Sequence, residues 1–284
     1  MDTKTIASAF AAAGLAQIAR AADKLILPSI RATATLLDED SIPVGASKLG
    51  GLPDLPAMIE WPEMNSVPMS FVAQIRLENL KGVDGAQTLP PAGMLWFFYD
   101  AAQETYGADP ADRAGRQVFF IDHLTEGQLS RRPAPEELSS AACFNACAMV
   151  FSSEATLPTS PNVEMPTLMW SREDQQRYEA FYAAFPSHQA RASAQHRLLG
   201  HPDTIQDDMR GQCQLMTHGV SGLDDPRAAA LLADAHDWQL LLQVDSDDGA
   251  GMEWANTGML YFWIKRADLA SRNFDNVWVV LQSE

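Results

Sequence analysis

The feature that most constrains this fold is an internal echo. Three short blocks recur in one order and keep their chemical character. They are GGLPD from Gly50, FVAQI from Phe71 and GMLWFF from Gly93, then LGHPD from Leu199, LLLQV from Leu240 and GMLYFW from Gly258. Three ordered matches indicate an ancient duplication. Only two copies occur, far apart, so a solenoid of stacked 20–50-residue repeats is excluded.

The echoed blocks predict the fold class. FVAQI and GMLWFF are short apolar runs bounded by turn formers, which is typical of buried strands. We therefore predict an α+β fold with a mostly antiparallel β core from two duplicated halves and flanking helices. The halves cover about residues 25–170 and 171–284. No Gly-, Ser- or Pro-rich linker separates them, so we predict a single domain over 1–284.

The net charge and the number of cysteines restrict the class of partner and the cellular compartment that we predict. The 284 residues carry a net charge of −17, which argues against nucleic acid or an anionic membrane as the main partner. Solubility is the favoured explanation of this charge, and an acidic face for a basic protein is the alternative. Three cysteines make a poor disulfide framework and suit a reducing compartment. No run approaches the ~18 apolar residues of a membrane-spanning helix, so we predict a cytoplasmic protein.

Two glutamines stand out because each is the lone amide in an apolar, strand-like run. Gln74 lies in FVAQI and Gln243 in LLLQV. A buried amide must be hydrogen-bonded. Either each glutamine ties down the Pro-Asp turn of its own half, which is the favoured interpretation, or both line one cleft between the halves.

A stiff, irregular loop rich in proline and glycine, Lys48–Pro62, is echoed by Gly200–Gln206. We predict that the two loops flank a shared groove, because binding residues concentrate on loops held by a sheet. The alternative is that both loops cap the sheet. In the groove, Lys48 would bind an anionic group, and two tryptophans would form apolar walls. The candidate binding residues are Lys48, Asp54, Trp61, Gln74, Gln206, Gln243 and Trp254.

The acidic loop Asp245, Asp247, Asp248 and, further on, Glu253 is the weak candidate for a metal site. Alternating carboxylates can converge on a hard cation, but the spacing is not that of an EF-hand. A solvated hairpin turn is the favoured interpretation. We predict no tightly bound structural metal, because the three cysteines and six histidines do not group with ligand spacing. We name no cofactor and no catalytic residue, since G-x-S-x-G, P-loop and Rossmann motifs are all missing from the sequence.

The ordered blocks resemble the YwqG-like family of bacterial proteins, an uncharacterised-domain family, from roughly residue 25 to 282. The resemblance rests on SKLGGLPDLP from Ser47, WP at Trp61, FVAQI from Phe71, LPPAGMLWFF from Leu89, HRLLGHPDTIQ from His196, LLLQVDSD from Leu240, GMLYFWIKRADL from Gly258 and FDNVW from Phe274. One departure is Trp254-Ala255-Asn256, where members tend to have Trp-Gly-Asp. The resemblance implies a mixed α+β fold, an intracellular location and no established activity.

These observations favour a non-enzymatic binding protein over an enzyme. Its partner would be a protein, for example of the immunity type, or a small molecule. The alternative function is a metal-assisted hydrolase that uses the acidic loop at 245–253.

Overall fold

The computed structural model describes residues 3–125, 127–159, 164, 170–189 and 193–284. Most strands join one antiparallel sheet. The strands are β1 (Leu27–Leu36), β2 (Lys48–Leu49), β3 (Asp54–Pro56), β4 (Glu63–Met64), β5 (Val67–Pro68), β6 (Ser70–Arg76), β7 (Met94–Tyr99), β8 (Arg116–Ile121), β9 (Leu129–Arg131), β10 (Cys147–Thr156), β11 (His196–Leu198), β12 (Trp238–Asp245), β13 (Met259–Lys265) and β14 (Trp278–Gln282).

Ten of these strands form the main sheet, in the order β14-β13-β12-β11-β1-β10-β2-β6-β7-β8. The long strands β1 and β10 pair at its centre over ten residues each. On one side follow β11 to β14, and on the other follow β2, β6, β7 and β8. Two small two-stranded sheets, β3 with β9 and β4 with β5, lie outside it. The fold is thus mostly antiparallel sheet, in the class that the sequence predicts.

The two outer groups of strands share their register. Three consecutive strands place a cation, a glutamine and an aromatic residue opposite one another. The aligned sets are Lys48, Gln74 and Trp96 in one group and Arg197, Gln243 and Tyr261 in the other. A register shift falls between Phe71 and Ala73 in one group and between Leu240 and Leu242 in the other. Each shift lies at the same distance before its glutamine, so the local bend of the two groups matches.

The outer strands are apolar on both faces because both faces are covered. All six residues of β7 are buried, as are six of the seven in β13. Phe97 and Phe262 meet with ring centroids 5.1 Å apart, so one core is shared by the two groups. Strands buried on both faces read as continuous apolar runs rather than alternating ones.

The sheet curves until its two edge strands approach each other. The buried guanidinium of Arg116 on β8 donates from Nε to the carbonyl of Val277, at 2.6 Å. The indole Nε1 of Trp278 on β14 donates to the carbonyl of Gly107 at 3.1 Å. These contacts cover edges that would otherwise present unpaired backbone groups.

Helices cover the outside of the sheet. They are α1 (Thr3–Ala12), α2 (Ala16–Arg20), α3 (Ala22–Leu25), α4 (Arg172–Ala183), α5 (Pro186–Gln189), α6 (Arg210–Thr217), α7 (Ala228–Leu232) and α8 (Arg266–Ala270). Ser171 and Asp174 form a reciprocal capping box at the start of α4. Among the helices in the described ranges, none has the length and apolar character needed to cross a bilayer.

The proline-rich stretch Lys48–Pro62 is more regular than its composition predicts. Its first two residues form β2, between β6 and β10, and Asp54–Pro56 form β3 against β9. The expectation of an irregular loop is wrong for these segments, because long-range pairing supplies the ladder hydrogen bonds that local sequence does not signal.

Candidate functional site

In the first group of strands, Gln74 fastens the turn that precedes β3. Its Oε1 accepts from the backbone N–H of Asp54 at 2.8 Å, and its Nε2 donates to Asp54 Oδ2 at 2.7 Å and to the carbonyl of Ala46 at 2.8 Å. The indole of Trp96 donates to the carbonyl of Asp54 at 2.9 Å. Both Gln74 and Asp54 are fully buried, so every polar atom here needs its partner.

Lys48 lies beside this turn and is also fully buried. Its Nζ is 2.7 Å from Glu39 Oε1 and 3.6 Å from Asp54 Oδ2. Arg131 Nε approaches Asp54 Oδ1 at 2.9 Å. Burial lowers the pKa of Lys48, and the two carboxylates oppose that effect. In contrast to the expectation of a free cation, Lys48 is covered and already paired.

The second group builds the same arrangement around Gln243. Its Oε1 accepts from the N–H of Asp203 at 2.9 Å, and its Nε2 donates to Asp203 Oδ2 at 2.9 Å and to the carbonyl of Gln195 at 2.7 Å. Tyr261 donates to the carbonyl of Asp203 at 2.6 Å, in the role of Trp96. Each glutamine therefore ties the Pro-Asp turn next to its own group of strands, as the favoured one of the two interpretations predicts.

A guanidinium takes the place of the buried lysine in this second cluster. Arg197 is fully buried, 2.7 Å from Asp203 Oδ2 and 3.2 Å from Glu154 Oε1. Arg31 approaches the same Glu154 at 2.8 Å. The repeat could have revealed Arg197, because it follows Lys48 by the 149 residues that separate Pro202 from Pro53.

The two tryptophans predicted to form walls pack in different apolar clusters. Trp254 is fully buried, and its ring centroid is 5.8 Å from that of Tyr99 and 5.5 Å from that of Phe144. Trp61 is partly buried and packs edge-on against Phe98 at 5.6 Å. Of the two, Trp254 belongs to the core, and Trp61 alone borders a cavity.

The two echoed loops line separate cavities. Gly51 and Trp61 border a cavity of about 670 Å³, and Gly200 and Gln206 border one of about 460 Å³. The two share no described lining residue. The structure therefore does not gather the seven candidate binding residues in one groove, and a ligand-binding role for them stays a prediction.

The acidic loop after β12 is a hairpin turn held by its own carboxylates. Asp247 Oδ1 accepts from the N–H groups of Gly249 and Ala250 at 2.7 and 3.1 Å, and the backbone of Asp247 bridges to Met252. Asp248 and Glu253 are exposed. Within the part of the chain that the structure describes, no three His, Cys, Asp or Glu side chains are placed to hold a metal ion.

His196, on β11, links this loop to the sheet. Its Nδ1 accepts from the N–H of Asp245 at 3.1 Å, and its Nε2 lies 3.0 Å from Asp247 Oδ2. An Nδ1 that accepts places the ring proton on Nε2, which then donates to Asp247. Both ring nitrogens of His196 are thus engaged by the acidic loop.

The two carboxylates beside this ring are in different environments. Burial raises the pKa of Asp245, whose Oδ2 accepts from the N–H of Gln195 at 2.8 Å. The hydrogen bond from His196 lowers the pKa of Asp247. One carboxylate of the pair is therefore desolvated, while the other is stabilised in its charged form.

The equivalent place in the first group has different chemistry. Ser47 Oγ accepts from the N–H of Arg76 at 2.9 Å and donates to Asn79 at 2.9 Å. Ser47 thus accepts a hydrogen bond from the backbone N–H of Arg76, as His196 does from that of Asp245. By the spacing of the two glutamines, the first group carries Arg76, Glu78 and Asn79 where the second carries Asp245, Asp247 and Asp248.

A cavity of about 920 Å³ lies beside the acidic loop. We call it the acidic cavity, lined in part by Arg31, Glu154, Ser187, His196, Asp245, Asp247 and Asp248. Ser187 is buried, and its hydroxyl has no hydrogen-bond partner within the described residues. The sequence analysis missed Ser187, because no pattern marks a lone serine in a short helix.

Comparison with known proteins adds a family. No curated protein matches the chain. The model of a domain of unknown function, DUF1963, matches residues 47–283, which include both glutamine clusters and the acidic loop. Because this match spans most of the chain, the protein belongs to the DUF1963 family of domains of unknown function.

Proposed function

We propose that the protein is a non-enzymatic binding protein that holds a small polar molecule in the acidic cavity. The observation that carries this proposal is a polar cavity of about 920 Å³ that contains a buried, unpartnered hydroxyl, that of Ser187. A buried polar atom without a partner is costly, and a ligand that supplies the partner gains from it. Pockets of this size are typical of small-molecule sites.

Binding without chemistry fits the state of the side chains in the cavity. A serine nucleophile needs an adjacent base with a free nitrogen or oxygen. The Ser187 hydroxyl has no described partner, and both nitrogens of His196 are engaged by Asp245 and Asp247. The cavity thus offers recognition groups but no activated nucleophile in the described part of the chain.

A hydrolase is the second candidate, and one observation favours it. Asp245 and Asp247 line one cavity, and their pKa values are shifted in opposite directions. Two carboxyl groups whose pKa values are shifted apart in this way are typical of a general acid and a general base. Hydrolysis of model esters or glycosides by the wild-type protein, with and without added Mg²⁺, and its loss in Asp245→Asn would favour this candidate over binding alone.

Other parts of the interpretation are also proposals. The matched registers and the twin glutamine clusters support a duplication of about 25–170 and 171–284 within one domain. Membership of the YwqG-like family and a cytoplasmic location remain predictions from the sequence. A protein partner, including one of the immunity type, is supported only by the net charge of −17.

Native mass spectrometry of the protein purified from expressing cells tests the binding proposal. We expect a small-molecule adduct that is lost on denaturation. Thr33, which lines the cavity on β1, is the position to block: Thr33→Trp should abolish the adduct, and Leu223→Trp, at a remote position that is 77% exposed, should retain it. No adduct in the wild type, together with no shift of cavity signals on NMR screening of a fragment library, would refute small-molecule binding.

A further inference from the structure

We propose that the ligand of the acidic cavity carries an aliphatic ammonium group, which Asp245 and Asp248 recognise. This inference rests on the proposed function and deepens it, because it names the class of ligand. Three observations support it: the charge balance around the cavity, the different charges at equivalent positions of the two groups of strands, and the unpartnered hydroxyl of Ser187 in the cavity lining.

The cations at the cavity are already matched. Arg31 and Arg197 share Glu154, and Arg197 also pairs with Asp203 at 2.7 Å. Two guanidinium groups and two carboxylates therefore form one neutral network. Among the residues that the structure describes at this cavity, the network leaves no guanidinium group over for the acidic loop.

The acidic loop keeps its negative charge. Asp247 is hydrogen-bonded by two backbone N–H groups and by the ring of His196. Asp245 accepts only backbone N–H donors, and Asp248 is exposed. Neither makes an ion pair with a Lys or Arg side chain in the described ranges. A desolvated carboxylate without a counter-ion is unfavourable, and the raised pKa of Asp245 agrees with this.

At the equivalent positions of the first group of strands, the side-chain charges cancel. Arg76 and Glu78 offset each other, and Asn79 is neutral, so the net charge of the three positions is zero. In the second group all three positions are aspartate. The strand registers and the backbone bond to Ser47 or His196 are retained, so the fold does not require this charge. This difference in charge therefore lies in side chains beside the acidic cavity.

Ser187 gives the second, independent observation. Its hydroxyl is 6% exposed, has no hydrogen-bond partner in the described chain and lines the same cavity as Asp245. Its backbone carbonyl accepts from both Arg31 and Arg197, which fixes the residue against the neutral network. A rotation about χ1 would present the hydroxyl oxygen to an N–H donor or its proton to an acceptor.

Three five-carbon probes of different charge test the inference: pentane-1,5-diamine, pentane-1,5-diol and glutarate. Titration of isotope-labelled protein followed by NMR should show the diamine binding at the acidic cavity. We expect the uncharged diol and the anionic glutarate to bind at least about tenfold more weakly, since a charge-assisted hydrogen bond is worth about that much.

Matched variants separate the cavity from the general surface. Asp245→Asn keeps an oxygen for the N–H of Gln195 and should weaken the diamine at least about tenfold. Asp248→Asn, at an exposed position, should act in the same direction and guards against misfolding of the first variant. Glu78→Gln removes one charge from the equivalent loop of the first group and should leave affinity within about twofold. Nonspecific attraction to the acidic surface would instead respond equally to all three variants.

The outcomes of these experiments separate the ammonium inference from the proposed function. If the diol binds as well as the diamine, or if both aspartate variants bind the diamine as the wild type does, the ammonium inference is wrong. The proposed function survives that result if Thr33→Trp still abolishes an adduct. If none of the three probes shifts a cavity signal, the ammonium inference is refuted, and the adduct experiment alone decides the proposed function.

Discussion

Replacement of Gln74 by leucine tests whether the buried glutamines hold the two Pro-Asp turns. The change removes three hydrogen bonds, of 2.7 to 2.8 Å, at a side chain with no solvent exposure. Asp54 Oδ2 keeps the N–H of Gly45 at 2.8 Å. The N–H of Asp54 and the carbonyl of Ala46 lose the side chain that binds them here.

The magnitude follows from these two orphaned groups. Each of the two buried, unsatisfied groups costs about 1–3 kcal/mol, and the apolar leucine returns about 1.5–3 kcal/mol. At the middle of these ranges, the expected loss in the free energy of unfolding is about 2 kcal/mol. That is a large part of the ~5–15 kcal/mol stability of an ordinary domain.

Gln243→Leu is a matched twin. It removes the three equivalent bonds, of 2.7 to 2.9 Å, to the N–H and carboxylate of Asp203 and to the carbonyl of Gln195. We expect the same loss within about 1 kcal/mol, by the same accounting. Gln239→Leu is the control, because Gln239 lies on the same strand, is only half-buried and makes no side-chain hydrogen bond within the described residues. It should change stability by less than about 0.5 kcal/mol.

Urea unfolding followed by far-UV circular dichroism and by tryptophan fluorescence measures these losses. Coincident transitions by the two probes and an unchanged m-value permit the midpoint shift to be read as stability. Losses below about 1 kcal/mol in both glutamine variants would contradict the role of the buried amides. A large loss in one and none in the other would show that the two clusters are not energetically equivalent.

Three further predictions concern single positions. Gly51→Ala should cost at least about 2 kcal/mol more in urea unfolding than Gly82→Ala, because both glycines have positive φ but only a Cβ at Gly51 would clash, with the Cβ of Ala146 as well as with Glu39 Oε2. Asp245→Asn should raise the melting temperature of the ligand-free protein at pH 7, because burial raises the pKa of this carboxylate and so penalises its charged form above that pKa. Asp247→Asn should reduce the loss of stability on acidification, because the lowered pKa of Asp247 means stability present above the unfolded pKa and lost as pH falls through the folded one.

Strands such as β7 were predictable because the apolar run that forms them is continuous in the sequence. Met94–Tyr99 is a continuous apolar run, and the structure has a strand with those same bounds. The start of α4 is likewise encoded locally, because the capping box of Ser171 and Asp174 involves only neighbouring residues. The short strands β2 and β3 were not predictable, since their partners lie on β6, β10 and β9.

The candidate site was predicted less well, for a related reason. Lys48 reads as a free cation in the sequence, yet Glu39 and Asp54 enclose it. Nothing near Trp254 in the chain announces that Tyr99 and Phe144 pack around it. The exposure of a side chain depends on which distant residues the fold packs against it, whereas the residue type indicates only an average exposure.

By itself, the sequence indicated the mostly antiparallel class and favoured the interpretation in which Gln74 and Gln243 hold the Pro-Asp turns. These properties follow from apolar runs and from the need of a buried amide for a partner. Only the tertiary structure decided that the echoed loops line separate cavities, and that Ser187 and Asp245 line the same one. That proximity joins residues 58 positions apart on α5 and β12. It depends on the order of strands in the sheet, which local physical chemistry does not specify.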